Sequence, residues 1–184
     1  MGGAGKLSGL PVVVKGHELQ LMAMAGASPE LRIRSFVPGD GVHFRRLNEA
    51  WLTEYFHVEP RDEELLADPV AHFIRPGGDI LLLDLAGQTI GCCALQNLGD
   101  GSFEIAKMAI DSAHRGRGYG RQLLEVVIDH ARGLGARRLF IETSSKLPTA
   151  IALYRKLGFA DIPPERVPPT DFARADVFLE RWFL

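Results

Sequence analysis

The stretch His114-Arg-Gly-Arg-Gly-Tyr-Gly-Arg121 constrains this chain more than any other. It lies between an apolar run that reads as a strand and an amphipathic run that reads as a helix. Glycines at every second position, Gly116, Gly118 and Gly120, free the backbone to bend so that consecutive amides point into one concavity. The helix that follows adds its own unpaired amides and the positive end of its dipole, which together make a site for an anion. Arg115, Arg117 and Arg121 bring charge and planar forks that match phosphate oxygens. A ligand with phosphates is the reading that uses all of these residues; a turn made basic for solubility is the plainer alternative. Two common phosphate loops are excluded by spelling. The chain's one Gly-Lys pair, at 5–6, is followed by Leu7, so no Gly-x-x-x-x-Gly-Lys-Ser/Thr exists. Gly116-x-Gly118-x-Gly120 also lacks the Gly-x-Gly-x-x-Gly spacing of a dinucleotide fingerprint.

The rest of the chain supplies one domain around this loop. Leu31–Val37 alternates apolar and polar residues, the period of a strand. Asp40 stands where a carboxylate can cap the helix predicted over 41–56. A broken helix is expected over 61–75, interrupted by Pro69. Strands follow at Ile80–Ala86 and Thr89–Leu95, turning at Gly87-Gln88, with a third at Ser102–Asp111 after Gly99-Asp100-Gly101. The pattern then changes to a helix over 119–134, a strand at Arg138–Thr143 and a helix at Pro148–Leu157 stopped by Gly158. A proline-rich loop and a last strand at Ala175–Phe183 complete the chain. Strands gathered first and helical crossovers later give an α/β fold, a mixed sheet with helices on both faces.

Composition removes several classes. Lys and Arg number 21 against 23 Asp and Glu, a formal net charge of −2, which does not suit a protein that coats nucleic acid or an anionic membrane. No run approaches the ~20 apolar residues of a membrane helix. Cys92 and Cys93 are adjacent in a strand and point to opposite faces, so they do not pair, as expected in a reducing cytoplasm. No His-x-x-x-His or Cys-x-x-Cys pair suggests a metal, and no Gly-x-Ser-x-Gly elbow suggests a hydrolase. Residues 1–30, with glycines at 2, 3, 5, 9, 16 and 26, read as a flexible tail or as the product of a start placed too early; residues 31–184 read as the single domain.

Two motifs at the right separation give this sequence a family resemblance. Arg115-x-x-Gly118-x-Gly120 meets the Arg/Gln-x-x-Gly-x-Gly/Ala pattern of the GNAT superfamily of acetyl-CoA-dependent N-acetyltransferases. Ala150-Ile-Ala-Leu-Tyr-Arg-Lys-Leu-Gly-Phe159 resembles the same family's second signature. The resemblance covers roughly residues 31 to 184. It implies a mostly antiparallel central sheet splayed between two strands, with acetyl-CoA as cosubstrate and no metal. It also implies that the loop from Arg115 through Gly116, Arg117, Gly118, Tyr119 and Gly120 to Arg121 holds the coenzyme pyrophosphate. Main-chain groups of Met108, Ala109 and Ile110 would then meet the pantetheine arm. Many relatives carry an asparagine after the splayed strand; here Thr143-Ser144-Ser145 stands in its place, leaving Ser144 to make that contact or none.

Acyl transfer to an amine asks for a base, because an alkyl ammonium has a pKa of about 10.4. Glu104 is the candidate: period two places it on one face with Ala106, Met108 and Ile110, with Lys107 on the other. The same Glu104 reads equally as a strand-end carboxylate paired or in solvent, and Lys107 as a structural lysine in need of a partner. The resemblance implies that Tyr154 protonates the departing thiolate, while its helical spacing with Ile151 and Leu157 also suits a core residue. Tyr55, His57, Glu59 and Glu142 are candidates for contact with the acceptor, or for solvated faces. The reading is transfer to the primary amine of a small molecule or amino acid, by direct attack in a ternary complex. A protein N-terminus or lysine, or a non-catalytic acyl-CoA sensor, are the alternatives. Relatives often dimerise, so a homodimer is allowed.

Overall fold

The computed structural model describes residues 30–183 and, by backbone alone, two short strands ahead of them, β1 (Val13–Lys15) and β2 (Glu18–Gln20). Thereafter come β3 (Leu31–Ser35), α1 (Gly41–Tyr55), α2 (Pro60–Ala67) with a wide helical turn at Val70–Ile74, and the meander β4 (Asp79–Leu85), β5 (Gln88–Gly99) and β6 (Ser102–Ile110). They are followed by α3 (Tyr119–Gly133), β7 (Arg138–Thr143), α4 (Pro148–Lys156), β8 (Ala160–Asp161) and β9 (Val177–Trp182). The strands form one sheet in the order β1-β2-β3-β4-β5-β6-β7-β9-β8. Every neighbouring pair is antiparallel except β6 and β7, which α3 connects as a crossover. The expected tail over 1–30 falls, apart from Glu30 and the two short strands, outside the described residues.

Two cores sandwich the sheet. On one face α3 buries Leu123, Leu124, Val127, Ile128 and Ala131 against Leu81, Leu83, Cys93 and Leu139. On the other, α1 and α2 bury Phe44, Leu47, Leu52, Leu65 and Leu66 against Ile80, Leu82, Cys92 and Ala94. Cys92 and Cys93 therefore sit in different cores, as the strand period requires, and neither forms a disulfide. Covering both faces explains why Ile80 to Leu83 form an unbroken, fully buried apolar run. Each such side chain contributes roughly 1.5–3 kcal/mol by leaving water.

Three local expectations are corrected. Asp40 stands at the N-cap of α1 as expected, but its carboxylate bonds none of the helix amides. Its carboxylate accepts two bonds from Arg34, at 2.7 and 3.0 Å, and one from the Val37 amide at 2.8 Å. A forked, charge-assisted pair outcompetes a helix amide for the same oxygens. The β4–β5 turn falls on Ala86-Gly87, both at positive φ, and Gln88 already belongs to β5. Most consequential, β6 is bulged. Cys92 pairs with Ala109 and Ala94 with Ala106, so Lys107 and Met108 together oppose Cys93, and Lys107 takes φ +48°. The extra residue reverses the alternation. Glu104, Ala106, Lys107 and Ala109 lie on the α1–α2 face, whereas Met108 and Ile110 lie on the α3 face. Strict period two had placed Glu104 with Met108 and Ile110, and Lys107 opposite.

Candidate active site

The sheet forks between β6 and β7. Their parallel pairing has only three rungs, Ser102 with Arg138, Phe103 with Leu139 and Glu104 with Phe140, after which the strands part. The gap opens a cleft of about 1130 Å³ that runs from the 114–121 loop, past α4, to the loop at 168–175.

At one end the chain turns from β6 into α3. Asp111 steadies the turn by accepting the Ala113 amide at 3.1 Å, and Gly116 and Gly118 take φ +74° and +84°, Gly118 as the cap of α3. Among the described residues, no hydrogen bond uses the amides of residues 116 to 121. A Cβ on Gly116 would have nothing within 4 Å, and one on Gly118 only the Gln122 side chain at 4.0 Å. Those glycines are required by backbone angle, and nothing crowds their α-carbons. Gly120 differs, since a Cβ there would make ordinary contact with Ile110 and Met108 at 3.6 and 3.7 Å.

The loop arginines are less free than the sequence suggests. Arg115 donates through Nε to the Ile110 carbonyl at 2.9 Å and through Nη1 to both Glu54 oxygens at 2.7 Å and to the Tyr55 hydroxyl at 3.0 Å. The Arg115 hydrogen bond holds Glu54 below the usual carboxylate range. Arg115 thus latches the loop to the end of α1, because Glu54 and Tyr55 lie within reach of its fork. Arg121 pairs along its helix with Glu125 at 2.8 Å. Arg115, Gly116, Gly118, Tyr119, Gly120 and Arg121 line the cleft, as do Met108, Ile110 and Ser144; Arg117 and Ala109 do not. Ala109 is buried on the α1 side by the bulge. Ser144 is buried, its hydroxyl accepting the Lys146 amide at 3.4 Å.

Glu104 stands at the last rung of the fork. It is half-buried and lines the cleft, and its carboxylate makes no hydrogen bond among the described residues. Burial pushes its pKa up to about 8; the nearby Glu142 adds to the rise, while Lys107 and Arg61 oppose it. Glu142, also in the wall, is raised by burial against the pull of Thr170, Lys107 and Arg174. Tyr154 is both a core residue and part of the cleft wall. Its ring packs edge-on against Phe159 at 6.2 Å in the core, 9% exposed, yet it lines the cleft. Burial, with a smaller contribution from Cys93, raises its hydroxyl well above the ordinary phenol value, so it stays protonated. Tyr55 also lines the cleft. His57 and Glu59 do not: His57 is exposed, and Glu59 is buried as the cap of α2.

Sequence reasoning missed the cluster that closes the end of the cleft away from the 114–121 loop. Asp62 is wholly buried and accepts Lys107 Nζ at 2.7 Å, two bonds from Arg174 at 2.7 Å each, and the Glu59 amide at 2.9 Å. Glu59 accepts Arg174 and the Ala173 amide, each at 2.9 Å. Phe172 lies under both cations, 4.2 Å from Lys107 and 4.3 Å from Arg174. This cluster straps the proline-rich loop to α2 and to the bulge of β6. Its one legible signal was a lysine inside an apolar strand, which needed a partner; the partner is Asp62.

A forked sheet, a loop of free amides at the start of a helix and a carboxylate at the fork meet in one cleft. The chain belongs to the acetyltransferase (GNAT) family, whose sequence pattern matches residues 44–159. The fold agrees with that membership. An IAA acetyltransferase of Azospirillum brasilense is 36% identical over 121 residues, 65% of this chain and 73% of the relative. A GNAT-family acetyltransferase structure from Staphylococcus aureus Mu50 superposes with a TM-score of 0.75 at 18% identity, over 83% of this chain and 98% of that one. The structure of yncA from Salmonella typhimurium, solved with its cofactor acetyl-CoA, matches with a TM-score of 0.64 at 22% identity, over 83% and 93%. No helix among the described residues is long and apolar enough to cross a membrane.

Proposed function

We propose that the protein is an N-acetyltransferase that carries the acetyl group of acetyl-CoA to the primary amine of a small molecule, by direct attack in a ternary complex. The observation that carries this reading is continuity: one cleft joins the free amides of 116–121 to an unpaired carboxylate, Glu104. The residues suit the coenzyme, since the amides of 116–121 have no partner among the described residues and Gly116, Gly118, Tyr119, Gly120 and Arg121 line the cleft. Bound there, acetyl-CoA supplies an activated acetyl thioester. The amides of 116–121 would hold its pyrophosphate, and Met108 and Ile110, past the last rung of the fork, would flank its arm. Glu104 takes the proton from the acceptor amine; a base with a pKa of about 8 is matched to that task near neutral pH. Tyr154 holds a proton at Oη for the departing sulfur. The acetyl-CoA complex of yncA and the name of the Azospirillum relative support acetyl-CoA as the donor and acetyl transfer as the reaction. A small acceptor is favoured over a protein because the strapped loop at 168–175 covers the acceptor end.

The test is a panel of amines with acetyl-CoA, followed by release of free thiol. In the parent, kcat/KM should rise with pH through a limb at about 8. Glu104→Gln should flatten that limb and lower turnover by ~10²–10⁴-fold, with coenzyme affinity retained. Full activity of the variant from pH 6 to 9 would remove Glu104 from the mechanism.

A further inference from the structure

The acceptor end of the cleft holds a second carboxylate that the transfer reaction does not use. Glu104 pairs in register with Phe140, and Glu142 is the next residue of β7 on the same face. At a strand spacing of ~4.8 Å and a rise of ~3.3 Å per residue, their Cα atoms would be about 8 Å apart on an unsplayed sheet. The fork widens that distance. Both side chains line the cleft and neither has a salt bridge among the described residues, Glu142 having only the Thr170 hydroxyl as a hydrogen-bonding neighbour.

The cations nearby are committed elsewhere. Lys107 and Arg174 are held by Asp62, and Arg174 also by Glu59. Arg61 pairs with Glu64 at 2.7 Å and sits 3.7 Å from Asp171, a third carboxylate at the mouth. Six acidic groups (Glu59, Asp62, Glu64, Glu104, Glu142 and Asp171) thus surround three basic ones (Arg61, Lys107 and Arg174). Lys146, exposed at the lip with its Nζ 5.9 Å from the Phe56 ring, is the opposing attraction. A half-buried carboxylate without a cation is costly unless the ligand brings one.

We propose that Glu142 is a specificity-determining residue that receives a second cationic group of the acceptor, so that the preferred acceptors are diamines with their nitrogens about four to six carbons apart. This rests on the acetyl-transfer reading. One ammonium lies on Glu142 while the amine to be acetylated faces Glu104. The apolar walls contributed by Phe140 and Phe172 pass along the methylene chain.

The experiment compares 1,5-diaminopentane, pentylamine and 5-aminopentanoate at low salt, by kcat/KM for thiol release and by calorimetric binding to the full-length protein. The diamine should exceed pentylamine by about 10- to 100-fold in kcat/KM, the effect of one charge-assisted hydrogen bond, and should bind more tightly. The amino acid should be poorest. Glu142→Gln should bring the diamine down to the level of pentylamine in both measurements, and Glu142→Asp should restore part of the difference. Removing that charge should also move the acid limb of the pentylamine profile to lower pH, because Glu142 is one of the groups that raise Glu104. A merely structural Glu142 would leave that limb in place. Pentylamine used as well as the diamine, a preference for the amino acid, or a diamine preference that survives Glu142→Gln would overturn the proposal and leave acetyl transfer standing. No thiol release with any amine would remove the transfer reading and this one with it.

Discussion

Replacing Asp62 by alanine is the sharpest test of how the 168–175 loop is held against α2 and β6. Asp62 is fully buried, Lys107 is 7% exposed and Arg174 15% exposed in their side chains. The substitution removes three charge-assisted bonds and the acceptor of the Glu59 amide. It leaves Lys107 with a buried charge and no carboxylate bonded to it, while Arg174 keeps Glu59. Breaking a buried pair on one side costs about 3–5 kcal/mol, because the remaining ion stays desolvated. At about 2–4 °C per kcal/mol for a chain of this size, Tm should fall by roughly 6–20 °C. Urea unfolding measures the free energy directly, and the cost should shrink by at least ~1 kcal/mol in a Lys107→Met background, where the stranded cation is absent. The dependence on pH has a definite sign. Burial raises the Asp62 pKa, but Arg174 and Lys107 outweigh it and hold the group below its ordinary 3.8. Its contribution is therefore complete at neutral pH and lost as pH falls through the lowered value, so parent and variant should converge in strong acid. A loss under about 1 kcal/mol at pH 7, or strict additivity with Lys107→Met, would refute the account of the strap.

Two further outcomes concern the donor side. Tyr154→Phe keeps the ring against Phe159 and deletes only the hydroxyl, so kcat should fall with Tm and coenzyme affinity nearly unchanged; a change in Tm alone would make the residue packing. Gly118→Ala forces a side chain onto φ +84°, which should cost about 1–2 kcal/mol and weaken coenzyme binding measured by calorimetry. Unchanged affinity there would mean that the amides of this loop are not the phosphate site.

The elements along the chain were legible because each rests on short-range physics. The 114–121 loop advertises its bend through glycines at alternate positions, and two of them do take positive φ. The stripe of α3 and the split of Cys92 and Cys93 between two cores follow from helical and strand periods. The sequence singled out Glu104, Tyr154, Met108, Ile110 and Ser144 because each lies on or beside a recognisable motif, and all of them line the cleft. What the sequence hid was long-range. Lys107 and Asp62 are 45 residues apart, Arg174 and Asp62 112, and Arg115 and Glu54 61, so no local pattern links them. The bulge at Lys107 is equally silent, since an inserted strand residue is defined only by the partner strand it fails to match. That single residue decided which side chains of β6 share a face, placing Glu104 and Lys107 together and turning Met108 and Ile110 away. Periodicity along a chain determines what an element is, and pairing across space determines where its charges point.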